Sequence, residues 1–340
     1  MDLRHLSARP SARVVTTAPR PRNIANRQPA GRTSSHRYYA VLATTPGFPI
    51  SEVEMADAAS KSPSQVPAGL DPLDPARPSI ARVYDGFLGG KNYYEVDRQV
   101  MVKINQVVPE AVHIARGNRG FLNRACRFLA DQAGIDQYLD CGSGLPTAEN
   151  THQIVQRANK QARVVYVDND PVVLAHGRAL LEENDNVHMV AADIFRPADV
   201  LNNEVVRRHL DFSQPMVLLQ VGTLHHLEGD GGPEVMREYV DALPSGSYVV
   251  FSHFLDPEVP ELTAIAKRIE DILVHGPMGA GRFRTRAEIA GMLEGLELVK
   301  PNAVSEPGLV VCDEWWPDGP KLAPVSEAAR CIAGAVGRKP

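Results

Sequence analysis

The run Tyr138-Leu-Asp-Cys-Gly-Ser-Gly-Leu-Pro-Thr147, followed after one helix's worth of residues by Val164-Val-Tyr-Val-Asp-Asn-Asp-Pro171, restricts the possible folds of this chain more than any other feature. Its order is a short apolar strand, a glycine loop, a helix, a second strand and a carboxylate at that strand's tip. Two parallel strands joined through a helix make half of a nucleotide-type binding crevice, and the glycines let the loop backbone approach a ligand closely. Strand-like runs recur at 137–140, 163–167, 187–191, 216–221 and 247–252, separated by amphipathic or capped helical stretches. That alternation predicts one doubly wound α/β domain, Rossmann-like, with a mostly parallel sheet and helices on both faces.

Ahead of the first strand, helical periodicity covers about 79–86, 94–107 and 118–132, the last with Phe121, Leu122, Ala125, Phe128 and Leu129 on one face. Asp170-Pro171 places a capping carboxylate before a proline at the first helical position, and Thr285-Arg-Ala-Glu288 is a capping box opening the last crossover helix. The apolar runs Leu296–Val304 and Leu309–Trp315 are joined by Ser305-Glu-Pro-Gly308, too short a link for a parallel crossover. An antiparallel hairpin is therefore expected at the sheet edge, with Trp315-Trp316 packing there. The domain is expected to span 77–317, its first part the helical segment 79–132, and 318–340 to form a tail that is weakly helical at about 326–336.

Residues 1–76 mix Arg, Ser, Thr, Ala and Pro without a sustained period and are expected to be disordered. Residues 1–50 carry eight arginines and one acid, Asp2, a composition that fits either a transit peptide or a true start at Met55. The rest of the chain is acidic enough to leave a net charge of −5, which argues against a nucleic-acid surface. No apolar run reaches the roughly 18 to 20 residues of a membrane helix and no apolar signal core opens the chain, so a cytoplasmic location away from the membrane is expected. Cys126, Cys141, Cys312 and Cys331 contain no C-x-x-C pair, which argues against a zinc site and a disulfide framework alike.

The loop Gly142-Ser143-Gly144 by itself fits several nucleotide cofactors. A dinucleotide fingerprint wants Gly or Ala where Thr147 stands, and Asp140 just before the loop is unfavourable for a pyrophosphate. A carboxylate there suits a cation, and S-adenosyl-L-methionine carries both an α-ammonium and a sulfonium; Asp140 could equally cap its own loop. Asp168 lies 24 residues past Gly144, near the spacing at which an acid accepts from both ribose hydroxyls, with Asn169 beside it. Asp193 ends the third strand, where its carboxylate can accept from an adenine amine while Ile194 packs on the ring. A nicotinamide oxidoreductase and a cofactor-binding module without turnover are the competing readings.

These residues match the D-x-G-x-G loop, the acid of strand two and the Asp of strand three in class I S-adenosylmethionine-dependent methyltransferases. Pro78-Ser-Ile-Ala-Arg-Val-Tyr-Asp-Gly-Phe-Leu-Gly-Gly-Lys-Asn92, Asp97-Arg98, Arg116-Gly-Asn-Arg119 and Tyr166-Val-Asp-Asn-Asp-Pro-Val-Val-Leu-Ala-His176 further resemble an actinobacterial family of S-adenosyl methyltransferases, over about Pro78 to Pro317. The resemblance implies a seven-stranded sheet with an antiparallel last strand. It also implies a lid over the cofactor around Tyr84 to Arg98, with Tyr84, Lys91, Asn92 and Arg98 on the lid or substrate side. A phosphate-loop reading of Gly89-Gly90-Lys91 fails, because Asp85 stands where the first glycine is needed and Asn92 replaces Ser or Thr.

The fourth strand ends in Gln220-Val-Gly-Thr-Leu-His-His-Leu227, at the carboxyl end of the sheet, where His225 or His226 could serve as a general base; His253 after strand five is a third candidate. Each could also be a packing or capping residue. No carboxylate lies at ligand spacing to these histidines, so no metal is expected. Arg282-Phe-Arg-Thr-Arg286 is either a contact for an anionic substrate or a solvated loop. Methyl transfer to a small-molecule substrate is the expected activity. It needs mainly alignment, worth on the order of 7 to 11 kcal/mol, so the lack of a triad does not argue against it.

Overall fold

The computed structural model describes residues 76–146, 149–180, 184–316 and 324–340. The expectations for residues 1–75, disorder and the alternative start at Met55 among them, lie outside the described residues, as does Thr147.

Five parallel strands carry the fold: β1 (Gln137–Cys141), β2 (Arg163–Asp168), β3 (Val187–Ala191), β4 (Val217–Val221) and β5 (Tyr248–Asp256), each within a few residues of its expected run. Three strands of two residues follow, β6 (Arg284–Thr285), β7 (Glu297–Leu298) and β8 (Val310–Val311), and then β9 (Ile332–Arg338). The order is β3-β2-β1-β4-β5-β9-β7, with β6 paired to β5 and β8 to β9. Seven strands thus lie in a row and the sheet has nine in all. β9 runs antiparallel to β5.

The period of two explains why both faces are covered. Tyr138, Val164, Tyr166, Val217, Leu219 and Val250 join one apolar cluster, while Leu139, Cys141, Val165, Val167, Leu218, Val249 and Phe251 join the other. Helices α1 (Ile80–Phe87), α2 (Glu95–Val107), α3 (Val112–Asp131), α4 (Thr151–Ala158) and α5 (Pro171–Leu180) come before β3. Helices α6 (Pro197–Leu201), α7 (Glu204–His209), α8 (Gly232–Ala242), α9 (Pro260–Val274) and α10 (Arg286–Gly291) come after it. Residues of α1 to α5 and α9 enter the first cluster, and residues of α6, α7, α8 and α10 the second. The expected caps are present. Asp170 Oδ1 accepts from Val172 N at 2.7 Å, and Thr285 with Glu288 forms a reciprocal capping box, although the helix it opens is only six residues long. Among the described residues, no helix is long and apolar enough to cross a membrane.

Two expectations at the C-terminus are corrected. The runs around 296–304 and 309–315 do not pair with each other; β7 and β8 both pair with β9. Residues 326–336 are not helical beyond a short 3-10 turn at Ala328–Cys331, and the supposed tail supplies the strand beside β5. The sequence Ile-Ala-Gly-Ala-Val-Gly-Arg of β9 has little of the β-branched and aromatic character of a strand, which hides it. Its small residues have a packing role: a Cβ on Gly334 would stand 2.8 Å from the Phe121 ring of α3. Trp315 likewise is not at a sheet edge. It is fully buried, edge-on to Phe121 at 5.6 Å and Phe128 at 5.7 Å, with Arg124 donating to its carbonyl at 2.7 Å.

The first two helices are held by one buried carboxylate. Asp97 accepts from Arg82 Nε at 2.7 Å, Ser79 N at 2.9 Å and Tyr94 N at 2.7 Å, so it joins the start of α1 to the start of α2. Asp85 folds back on the glycine turn that follows α1, accepting from Asn92 N at 3.2 Å, and a Cβ on Gly90 would collide with its carboxylate at 2.1 Å. Much of the Asp85-to-Asn92 signature is therefore a packed turn.

Candidate active site

At the carboxyl ends of β1, β2, β4 and β5, where the strand order reverses between β1 and β4, lies a cavity of about 520 Å³. Asp140, Gly142, Ser143, Gly144, Asp168, Asn169, Asp170 and Ile194 line it from the β1 to β3 side. Gly222, Thr223, His225, His226 and Phe254 line it from the β4 and β5 side, and α1, α2, α3 and α9 close over the rest.

The glycine loop is stitched to β2. Gly142 N donates to Val167 O at 2.8 Å, Ser143 N to the same oxygen at 3.2 Å, and Gly144 N to Asp168 Oδ2 at 2.9 Å. All three loop amides are thereby spent on the protein itself, and α4 begins only at Thr151 with its own capping box from Asn150 and Gln153. A pyrophosphate would need free amides and an open helix N-terminus here. Gly142 has φ +77°, and a Cβ on it would meet Thr223 Cγ2 at 2.4 Å and Ile194 Cδ1 at 3.2 Å, so glycine is required both for conformation and for space.

The acids divide by role. Asp140 is buried, accepts from Thr151 Oγ1 at 2.7 Å and lies within the field of Arg119; burial pushes its carboxyl up to about 6. Asp168 is buried too and is pushed up to about 6 by the same cause. Its Oδ1 accepts from Asn169 N at 2.9 Å and Asp170 N at 3.0 Å, and its Oδ2 from Gly144 N. Three of the roughly four acceptor positions of a carboxylate are thus occupied. One is left for a hydroxyl, where the sequence reading has two. Asp193 is not among the residues that line the cavity. Its Oδ1 accepts from Phe195 N at 2.9 Å in an Asx turn, which sets Ile194 and Phe195 against the cavity wall.

The lid residues separate in the same way. Tyr84 lines the cavity, donating to Ala115 O at 3.2 Å and accepting from Asn118 Nδ2 at 3.1 Å. Lys91, Asn92 and Arg98 do not line it; all three are exposed, and Arg98 pairs with Glu95 at 2.7 Å on the surface of α2. His253 is also outside. It is fully buried, its Nδ1 donates to Phe254 O at 2.7 Å, and its Nε2 accepts from Arg284 at 3.0 Å. Arg284 donates in addition to Gly229 O at 2.5 Å, and Arg286 is tied to Leu309 O, so this basic loop braces the fold rather than facing the cavity.

His225 and His226 do line the cavity. His225 stacks on Phe254 with ring centroids 3.5 Å apart, and burial holds it well below the ordinary imidazole value; burial holds His226 down to about 4. Both are neutral near pH 7. Several further lining residues have a role that spacing alone does not reveal. Ser79, the N-cap of α1, donates to Asp170 Oδ2 and so joins the cap of the lid helix to the cap of α5. Asn118 accepts from Ser252 Oγ at 2.5 Å while it holds Tyr84. Asn118 was detectable as a polar residue on the same helical stripe as Phe121, Leu122 and Ala125, and Arg119 as its neighbour in the Arg116-to-Arg119 motif.

Comparison with known proteins identifies the family. No curated protein matches the chain. A crystal structure of a candidate methyltransferase from Thermobifida fusca YX is 41% identical over 81% of this chain and 98% of its own, with a TM-score of 0.71. A DUF574 family protein from Streptomyces avermitilis MA-4680 is 35% identical over 78% of this chain and 98% of its own, with a TM-score of 0.70. The profile of the S-adenosyl methyltransferase family matches residues 68–340, which extends the expected domain through β9 to the end of the chain. This chain therefore belongs to the S-adenosyl methyltransferase family and is an S-adenosylmethionine-dependent methyltransferase.

Proposed function

We propose that the cavity transfers a methyl group from S-adenosylmethionine to a small molecule, with the donor held by Asp140, Gly142, Gly144, Asp168, Asn169 and Ile194. The observation that carries this reading is the pairing of a glycine loop whose amides are all engaged with a buried carboxylate, Asp140, directly before it. Such a site disfavours an anionic pyrophosphate, and with it a nicotinamide dinucleotide, and favours the ammonium end of a methionine. Asp140, positioned by Thr151, receives the α-ammonium, and the guanidinium of Arg119 beside it suits the α-carboxylate. The remaining acceptor position of Asp168 takes one ribose hydroxyl. Ile194 and Phe195 pack on the adenine, and Asp193 contributes by holding their turn.

S-adenosylmethionine supplies, when bound, a methyl group already activated on a sulfonium. What the chain supplies is alignment and exclusion of water. The strand tips fix one end of the donor, Ser79 latches the lid helix to Asp170, and Tyr84 with Asn118 fixes the wall between donor and acceptor. His225 and His226 are the imidazoles within the cavity, and their location makes them the groups that face the acceptor.

Titration calorimetry with S-adenosylhomocysteine tests the reading. Saturable binding is expected, weakened by about 100-fold in Asp168→Ala, since charge-assisted hydrogen bonds contribute about 1.5 to 3 kcal/mol each. Absence of binding, or an unchanged affinity in the variant, refutes the assignment. A fluorescence titration with NADH is expected to show no saturable signal.

A further inference from the structure

The cavity is chemically divided. Every acidic side chain that lines it, Asp140, Asp168 and Asp170, stands at or just beyond the tip of β1 or β2. The part enclosed by α2, α3, α9 and the turn after α9 is lined instead by Ile104, Ile114, Ile269, Leu273 and Met278. Among the described residues no carboxylate side chain lines that part. Three arginines are in the lining: Arg82 is bound to Asp97 at 2.7 Å and to Arg77 O at 2.7 Å, Arg119 holds the carbonyl of Glu149 at the donor end, and Arg77 precedes α1, outside the elements that enclose this part. The two imidazoles, His225 and His226, are neutral, and the Tyr84 hydroxyl already donates its hydrogen bond to Ala115 O.

An ion placed in such a lining would lose its hydration without gaining a partner, whereas an uncharged molecule would lose little and bury apolar surface. The absence of a counter-charge acts against both signs. Among the described residues an ammonium finds no carboxylate there, and a carboxylate or phosphate finds no lysine and, on α2, α3 and α9, no guanidinium but that of Arg119, held at the donor end. We infer that the methyl acceptor is a neutral, largely apolar small molecule seated among Ile104, Ile114, Ile269, Leu273 and Met278. Nucleotides, sugar phosphates, free amino acids and protein side-chain ammonium groups are thereby excluded. This rests on the methyl-transfer reading only for the word acceptor; the selectivity itself follows from the lining.

The test is calorimetry on the full chain with three probes of similar shape, 1-naphthol, 1-naphthoate and 1-naphthylmethylammonium, each titrated with and without saturating S-adenosylhomocysteine. 1-Naphthol is expected to bind at least about tenfold more tightly than either ion, because only the ions are desolvated without a partner. In Met278→Lys, at a half-buried position of the turn after α9, 1-naphthoate is expected to gain about tenfold and 1-naphthol to weaken in a variant whose thermal melting shows that it is folded. Three results overturn the inference: no binding of 1-naphthol, an ion that binds as tightly as 1-naphthol, or an order of affinities that Met278→Lys leaves unchanged. The S-adenosylhomocysteine titration separates the two claims. Its failure alongside the expected probe order removes the methyl-transfer reading and leaves the neutral pocket, and the converse pattern does the reverse.

Discussion

The two halves of the cavity are held in opposite ways. At the tips of β1 and β2 the restraints are short and polar: Asp168 fixes its own next two amides and Gly144, and Gly142 and Ser143 share the carbonyl of Val167. Across the cavity the wall is made of α1, α2, α3 and α9, tied down by side chains that act singly, among them Asp97, Asn118 and the Ser79 hydroxyl on Asp170. A local network tolerates the loss of one member better than a wall that hangs on single groups. The lid side is therefore where one substitution has the largest effect. Asp97→Ala removes three hydrogen bonds and leaves the Arg82 guanidinium buried without its partner, a loss of about 3–5 kcal/mol. Urea denaturation is expected to show that loss, and hydrogen exchange is expected to rise first in α1 amides. Uniform protection across α1 and β1 would show that the two halves are not independently held.

Within the polar half the comparison sharpens to two glycines two residues apart. Gly142 and Gly144 both have positive φ, at +77° and +64°, but only Gly142 faces atoms that a Cβ would strike. Alanine at either position incurs the left-handed penalty of about 1–2 kcal/mol. Gly142→Ala adds a collision with Thr223 Cγ2 and is expected to be the more destabilising by thermal melting and the weaker binder of S-adenosylhomocysteine. Adding Thr223→Ser, which deletes that methyl, is expected to return Gly142→Ala toward the Gly144→Ala value. If the two alanine variants melt alike, close approach at Gly142 is not a constraint.

The same contrast accounts for what the amino-acid sequence reveals. The five parallel strands are short, near-continuous runs dense in Val, Leu, Tyr and Phe, and the helix caps at Asp170 and Thr285 act within four residues, so both are local signals. Asp140, Gly142, Gly144, Asp168, Asn169, Ile194 and Tyr84 meet at one cavity as expected, because they sit at strand tips or on the helix that covers them. Asp193 is harder to read, because a strand-end acid can face a ligand or close its own turn with the same residue spacing, and here it closes its turn. β9 is hidden because its two glycines answer to the closeness of Phe121 and Leu296, partners remote in sequence. Lys91, Asn92 and Arg98 belong to a motif in which the structural residues, Asp85, Gly90 and Asp97, lie interleaved with exposed ones, so the motif alone does not tell which of its members face the cavity.

A pH series distinguishes the halves by titration. Burial raises the carboxyls of Asp140 and Asp168 from 3.8 to about 6, so between these values the folded state holds protons that the unfolded state has released. Their contribution makes stability fall as pH rises from about 4 to about 6 and level off above that. Donor binding has the opposite sign, because an ammonium needs Asp140 ionised. Affinity for S-adenosylhomocysteine is expected to rise through pH 6, with about a tenfold gain from pH 5 to 7.5. His226 and His253, held down to about 4 and about 3, stay neutral over this range and leave the window to the two acids. Asp140→Asn is expected to flatten the binding profile, and a profile that keeps its rise through pH 6 places the titrating group elsewhere.

The smallest effect is expected next to the largest in sequence. Arg98 adjoins Asp97, but its side chain is 52% exposed and its partner Glu95 60% exposed, whereas Asp97 and Arg82 are at 0% and 3%. An ion pair in water gains little attraction beyond what hydration already provides, and holding two long side chains in one geometry costs entropy. Arg98→Ala is therefore expected to leave the melting temperature, α1 hydrogen exchange and S-adenosylhomocysteine affinity within experimental scatter. A clear loss of affinity with unchanged melting would mean that Arg98 reaches the ligand in a closed state of the lid, and would restore the role that its motif suggests.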